Sequence, residues 1–143
     1  MERSLILIKP DAVQKGMATA IISRIESQGL KLIAIRMLQM EKELAEKHYA
    51  PHKERPFFPG LLTYITSAPV VAAVFEGEDA VARIRRIMGS TDPTKAEAGT
   101  IRKDFGENIE RNAIHGSDST ETAAREISLF FSNDQLMHYQ RQA

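Results

Sequence analysis

Apolar positions along the chain alternate between unbroken runs and helical stripes. Leu5 to Ile8 is a short continuous apolar run closed by Pro10, the pattern of a strand buried on both faces. Met17, Ala18, Ile21, Ile22 and Ile25 recur at helical spacing, and Gly29 is placed to end that helix in a left-handed cap. Leu30 to Met40 carries only Lys31 and Arg36 as charges and reads as a second strand. Glu41 to Tyr49 predicts a short polar helix. Pro51, Pro56, Pro59 and Gly60 then break the chain, and Leu61 to Thr66 predicts another short helix before Pro69. Val70 to Phe75 is a third buried strand. Ala80, Val81, Ile84, Ile87 and Met88 predict a helix from about Glu78 to Met88 that stops near Gly89.

The 23 residues from Gly89 to Arg111 mix Gly, Thr, Asp, Pro and alternating charges without a sustained period. Ordered loops of that length are uncommon and usually functional. Asn112 to His115 is a candidate fourth strand. Asp118, with Glu121 three residues on, is a capping-box-like start to a last helix whose apolar stripe is Ala123, Ala124, Ile127, Phe130 and Phe131. The order of elements predicts an α+β fold, a ferredoxin-like split βαβ sandwich with a four-stranded antiparallel sheet and helices on its faces. No G-x-G-x-x-G follows the first strand and no G-x-x-x-x-G-K-[ST] occurs anywhere, so a bound nucleotide would sit without either glycine cradle.

The 143 residues suit one domain, expected to span 1–143, with enough core to need neither disulfides nor structural zinc. The absence of Cys excludes thiolate chemistry and Cys-ligated metal. Nineteen basic and nineteen acidic residues cancel, which argues against nucleic-acid binding through a general positive excess and requires any anion binding to be local. Only four consecutive apolar residues open the chain, too few for a signal segment or a membrane span. The expectation is a soluble cytoplasmic protein.

Polar function is densest from Arg111 to Ser119, where Asn112 precedes His115 by three residues and Gly116, Ser117, Asp118 and Ser119 follow. A neutral imidazole can attack phosphorus when one ring nitrogen keeps its lone pair and the other is held by a hydrogen bond. Glu126, off the last helix's apolar stripe, is a candidate holder, and Gly116 would let a phosphoryl group approach the backbone. The plainer reading makes His115 an ordinary strand-end histidine and Ser117, Asp118 and Ser119 helix caps. Lys9, at the end of the first strand, is a candidate donor to sugar hydroxyls or phosphate, or a solvated turn lysine. Arg83, Arg85 and Arg86 spread around their helix, so at most one or two can face one site. Thr91, Lys95, Arg102 and Lys103 supply hydroxyl and cationic donors suited to a di- or triphosphate. Phe57 and Phe58 can stack on a planar ligand or pack under the short helices, and the Tyr49 hydroxyl can reach the same ligand. His48, His52 and His138 show no metal-ligand spacing with one another.

These residues resemble the nucleoside diphosphate kinase family. The resemblance is carried by Ile8-Lys9-Pro10-Asp11, His48-Tyr49, Arg55-Pro56-Phe57-Phe58-x-Gly60-Leu61, Phe75-Glu76-Gly77, Gly89-Ser90-Thr91-Asp92-Pro93, Gly99-Thr100-Ile101-Arg102 and Asn112-x-x-His115-Gly116-Ser117-Asp118-Ser119, collinear from residue 5 to about 131. It implies ping-pong transfer of the terminal phosphate of a nucleoside triphosphate, typically ATP, to a nucleoside diphosphate through a phosphohistidine on Nδ1 of His115. It further implies Glu126 and Ser117 as orienting partners, and Lys9 and Asn112 on the ribose. Arg85, Thr91, Arg102 and Tyr49 would hold phosphates, Phe57 would stack on the base, and Leu61 and Ile109 would line its slot. Mg²⁺ would be held mainly by the phosphates, with Asp118 reaching it through water. Assembly as a homo-oligomer, tetramer or hexamer, is implied as well. Two features depart from many eukaryotic members: Ala98 stands where they carry a second loop proline, and the tail after Phe131 is short and polar. A ligand-binding module without turnover and a metal-dependent phosphohydrolase using His115 and Asp118 are the competing readings.

Overall fold

The structure is a computed structural model and describes residues 1–142. Four strands, β1 (Glu2–Ile8), β2 (Lys31–Leu38), β3 (Val70–Gly77) and β4 (Ile114–Gly116), form an antiparallel sheet in the order β2-β3-β1-β4. β1 pairs with β3 from Glu2 opposite Gly77 to Ile8 opposite Val71, and on its other side Leu7 lies opposite His115. Among the described residues seven α-helices accompany the strands: α1 (Pro10–Gln14), α2 (Ala18–Glu26), α3 (Lys42–His48), α4 (Phe58–Ile65), α5 (Ala80–Met88), α6 (Ile101–Phe105) and α7 (Thr120–Phe130). This is the predicted ferredoxin-like arrangement.

The unbroken apolar runs follow from burial on both faces. Leu5 and Leu7 of β1 join Ala72 and Val74 of β3 in a core closed by Ala45, Ile65, Ala123, Ile127 and Phe130 from α3, α4 and α7. Ile6 and Ile8 join Ala73 and Phe75 in a second core closed by Ile21, Ile25, Ala80, Ile84 and Met88 from α2 and α5. With helices on both sides, successive side chains from Leu5 to Ile8 and from Val70 to Phe75 meet apolar partners, so alternation disappears there. Among the described residues no helix is long and apolar enough to cross a membrane.

Several boundaries differ from the sequence reading. The stretch from Gly89 to Arg111 is not one irregular loop. It holds a 3-10 turn at Pro93–Lys95, where the Asp92 side chain accepts from Thr94 N, and α6, where the Thr100 hydroxyl accepts from Lys103 N. Capping by single side chains starts such short elements without any apolar period to announce them. α4 takes in Phe58 and Pro59 because proline fits a helix's first turn. α5 begins at Ala80, since Asp79 is left-handed at φ 49°. β4 begins at Ile114 rather than Asn112.

The last helix is capped by Ser119, not Asp118: its hydroxyl accepts from Thr122 N at 3.0 Å, while Asp118 is exposed. On that helix Ala124 is exposed and Glu126 is buried, so the inward stripe is Ala123, Glu126, Ile127 and Phe130. The spacing i, i+3, i+4, i+7 selects that set regardless of polarity.

Candidate active site

β4 places His115 opposite Leu7, and α7 brings Glu126 behind it. The two meet at 2.9 Å between Nε2 of His115 and Oε2 of Glu126. A carboxylate only accepts, so Nε2 carries the proton and Nδ1 keeps a free lone pair. The other Glu126 oxygen accepts from the Ser117 hydroxyl at 2.7 Å, and Leu5 N donates to that same hydroxyl at 3.2 Å. Burial pushes the Glu126 carboxyl up, but the hydrogen bonds from His115 and Ser117 and the His115 charge outweigh it and hold the group below the usual carboxylate range.

Two arginines bracket the histidine through its neighbours' carbonyls. Arg102 of α6 donates to Ile114 O at 2.8 Å and to Gly89 O at 3.2 Å, and Arg85 of α5 donates to Gly116 O at 3.3 Å. The Arg102 Nε is buried without a partner. Burial and the Arg85 charge bring the Arg102 pKa down to about 10. A compact cationic pair at a strand edge is therefore assembled from residues far apart in the chain.

Lys9, Asn112 and Thr91 form a second linked group. Lys9 Nζ donates to Asn112 Oδ1 at 2.8 Å, and Asn112 Nδ2 donates to Thr91 O at 3.0 Å. Burial, then Arg102, brings the Lys9 pKa down to about 8, against an opposing pull from Asp11. Between Asn112 and His115 the backbone turns sharply at Ala113, whose φ is 73°, and Ile114 N donates back to Asn112 O at 2.9 Å. Such a positive-φ γ-turn is strained for a residue with a Cβ. It is held by Lys9 N donating to Ala113 O at 2.8 Å and by Ala113 N donating to Asp11 Oδ2 at 3.1 Å, while the Tyr64 hydroxyl donates to the other Asp11 oxygen.

An aromatic file leads outward from His115. His48 lies at 4.7 Å between ring centroids, Tyr49 a further 4.7 Å from His48, His52 at 6.4 Å from Tyr49 and Phe57 at 5.8 Å from His52. Tyr49 is buried with its hydroxyl unpartnered, and burial holds that hydroxyl above its usual pKa range. Phe57, at 52% exposure, is free to stack, whereas Phe58 packs on the core. Leu61 is half-buried on α4 beside it.

The geometry now stands beside known proteins. A family model described as nucleoside diphosphate kinase matches residues 2–136. The chain belongs to the nucleoside diphosphate kinase family. It is 61% identical over 141 residues to the nucleoside diphosphate kinase of Dehalococcoides mccartyi, covering 99% of each chain. Its structure is similar to that of the Aquifex aeolicus nucleoside diphosphate kinase, with a TM-score of 0.93 and 44% identity over 95% of this chain and 99% of that one. It is also similar to the Halobacterium salinarum nucleoside diphosphate kinase solved in complex with CDP, with a TM-score of 0.94 and 45% identity over 98% and 93%.

For this nucleoside diphosphate kinase family member, the structure ties Lys9, Arg85, Thr91, Arg102, Asn112, Ser117 and Glu126 into bonded groups around the His115 strand. Asp118 is exposed, with no hydrogen bond among the described residues, and Ile109, at 58% exposure, borders a hollow of about 390 Å³ with Asp92, Thr94, Asn108 and Glu110. A Cβ at Gly116 would strike the Met88 sulfur, so the glycine also serves the contact of β4 with α5. Sequence reasoning missed Asp11, Tyr64 and His48. Asp11 stood inside a quoted motif, but its partner Ala113 lies 102 residues away.

Proposed function

We propose that this chain transfers the terminal phosphate of a nucleoside triphosphate to a nucleoside diphosphate through Nδ1 of His115. The observation that carries this is the Nε2 contact with Glu126, which leaves Nδ1 as the free nucleophile. The Nδ1 lone pair forms the N–P bond as the bond to the bridging oxygen breaks, and the diphosphate leaves with that electron pair. A terminal oxygen of a second nucleoside diphosphate then attacks the same phosphorus, and the N–P electrons return to the ring. As the ring gains positive charge, Glu126 stabilises it through Nε2–H, and Ser117 keeps Glu126 oriented. Arg102, Arg85, Tyr49 and Thr91 hold phosphates, so that charge stabilisation rather than covalent help lowers the barrier. Lys9 and Asn112 bind the ribose, Phe57 stacks on the base, and Leu61 and Ile109 line its slot.

Mg²⁺ suits this site: among the described residues no acidic cage is present, and the exposed, unpartnered Asp118 carboxylate can meet a hydrated ion held mainly by phosphates. When bound, the ion neutralises phosphate charge. The chain acts as one domain over residues 1–143, in the cytoplasm, as a homo-oligomer of four or six copies. Exposed Ile35 and Met37 on the outer strand β2 support assembly, because large apolar side chains left open on an outer strand call for cover.

Brief incubation with terminally labelled ATP tests the reaction. The protein is expected to take up acid-labile, base-stable label and pass it to added GDP, and the His115→Ala variant to take up none. Release of free phosphate without an acceptor would favour hydrolysis instead, and full transfer by His115→Ala would end the proposal.

A further inference from the structure

His48 poses a problem the phosphoryl transfer does not use. Its side chain is almost fully buried and neither ring nitrogen has a hydrogen-bond partner. A buried polar group left unpaired costs about 1–3 kcal/mol. The ring is wedged against His115, Tyr49 and Phe130 at 4.7, 4.7 and 5.7 Å between centroids. An apolar side chain would fill that space without the penalty. Its Nδ1 lies 3.8 Å from Glu126 Oε2, the oxygen already bonded to His115 Nε2 at 2.9 Å. One donor atom from each of the three side chains falls within 4.8 Å of the others.

We propose that His48, His115 and Glu126 form a binding site for a borderline divalent transition metal such as Zn²⁺, and that filling it switches the nucleophile off. Two imidazoles and a carboxylate are a donor set zinc takes with one position left for water, and its tetrahedral shell separates donors by roughly 3.3–3.5 Å. The 2.9 and 3.8 Å separations to Glu126 Oε2 bracket that value, and with all three donors within 4.8 Å of one another, side-chain rotations that draw the two imidazoles together close the site. His48, kept neutral by its burial, has a lone pair to give. His115 is partly exposed and provides the way in. Mg²⁺ prefers oxygen ligands and does not compete for these nitrogens.

The switch is a change of tautomer. A metal bond at Nε2 of His115 displaces the proton that Glu126 holds there. That proton passes to Nδ1, the ring stays neutral, and the lone pair proposed to attack phosphorus is consumed. The site itself stands on geometry alone, while the inhibitory consequence rests on the Nδ1 reading above.

Zinc is titrated into the intact protein without nucleotide, followed by calorimetry and by nitrogen-15 NMR of the histidine rings. Expected are one zinc per chain, shifts at His48 and His115 but not at His52 and His138, and affinity weakened at least about tenfold by His48→Gln. Shifts confined to His52 and His138, or no binding at about tenfold excess, would overturn the site. The NMR arm needs no variant to fold. Zinc-loaded protein is expected to take up labelled phosphate at least about tenfold more slowly. Undiminished uptake with zinc on His48 and His115 would overturn the switch, whereas loss of the labelling of zinc-free protein would strike the phosphohistidine reading instead.

Discussion

At His115 the decisive matter is which nitrogen keeps its lone pair, and Glu126 decides it with one hydrogen bond. The same kind of local control sets the charge of Lys9. Its pKa of about 8 lies below the ordinary lysine value of 10.5, so between those pH values the unfolded chain holds a proton the native chain has lost. Through this group, stability rises with pH across that window. Nucleotide affinity runs the other way, because the cation disappears above about pH 8. Urea midpoints and nucleotide dissociation constants measured from pH 7 to 10.5 are expected to show both trends, and Lys9→Gln is expected to flatten both. Lys9, Asn112, His115, Ser117 and Glu126 were all legible in the sequence as candidates. Asp11, Tyr64 and His48 were not assigned roles, because each acts through a partner that only folding brings near.

Among the elements, the contact between β4 and α5 holds the His115 strand in place. Gly116 leaves room for the Met88 sulfur, so Gly116→Ala introduces a clash against a packed side chain. Destabilisation of about 1–3 kcal/mol is expected in urea unfolding. The double variant with Met88→Ala is expected to lose less than the two single changes together, since the second change removes the atom the first one strikes. The strands and long helices were readable because burial on both faces leaves Leu5 to Ile8 of β1 and Val70 to Phe75 of β3 wholly apolar and because α2 and α5 keep a 3.6-residue stripe. α1 and α6, of five residues each, are too short to show a period. They start from proline and a threonine cap, which also occur in turns.

Taken as a whole, the molecule carries an apolar outer strand, with Ile35 at 51% and Met37 at 63% exposure on β2. The C-terminal tail covers the start of this edge, where Met137 N donates to Ile33 O at 2.9 Å, and the rest of the edge around Ile35 and Met37 is a template for pairing with another chain. The protein in solution is expected to weigh several times its 16.0 kDa. The variant combining Ile35→Lys and Met37→Lys is expected to shift toward smaller species in light scattering, because facing lysines repel across the joint. An unchanged mass would place the assembly surface elsewhere.

Local pattern alone determined the α+β class, the three long strands, the main helices and the histidine-bearing motif, because burial on repeating faces writes itself into neighbouring residues. Tertiary structure alone decided that Ser119 rather than Asp118 caps α7, that Glu126 turns inward, that Gly116 answers to Met88, and that Asp11 holds Ala113 at φ 73°. Each of those outcomes depends on a partner's position within a few ångströms. Spacing along the chain sets which face a residue occupies but leaves open what the fold brings against it.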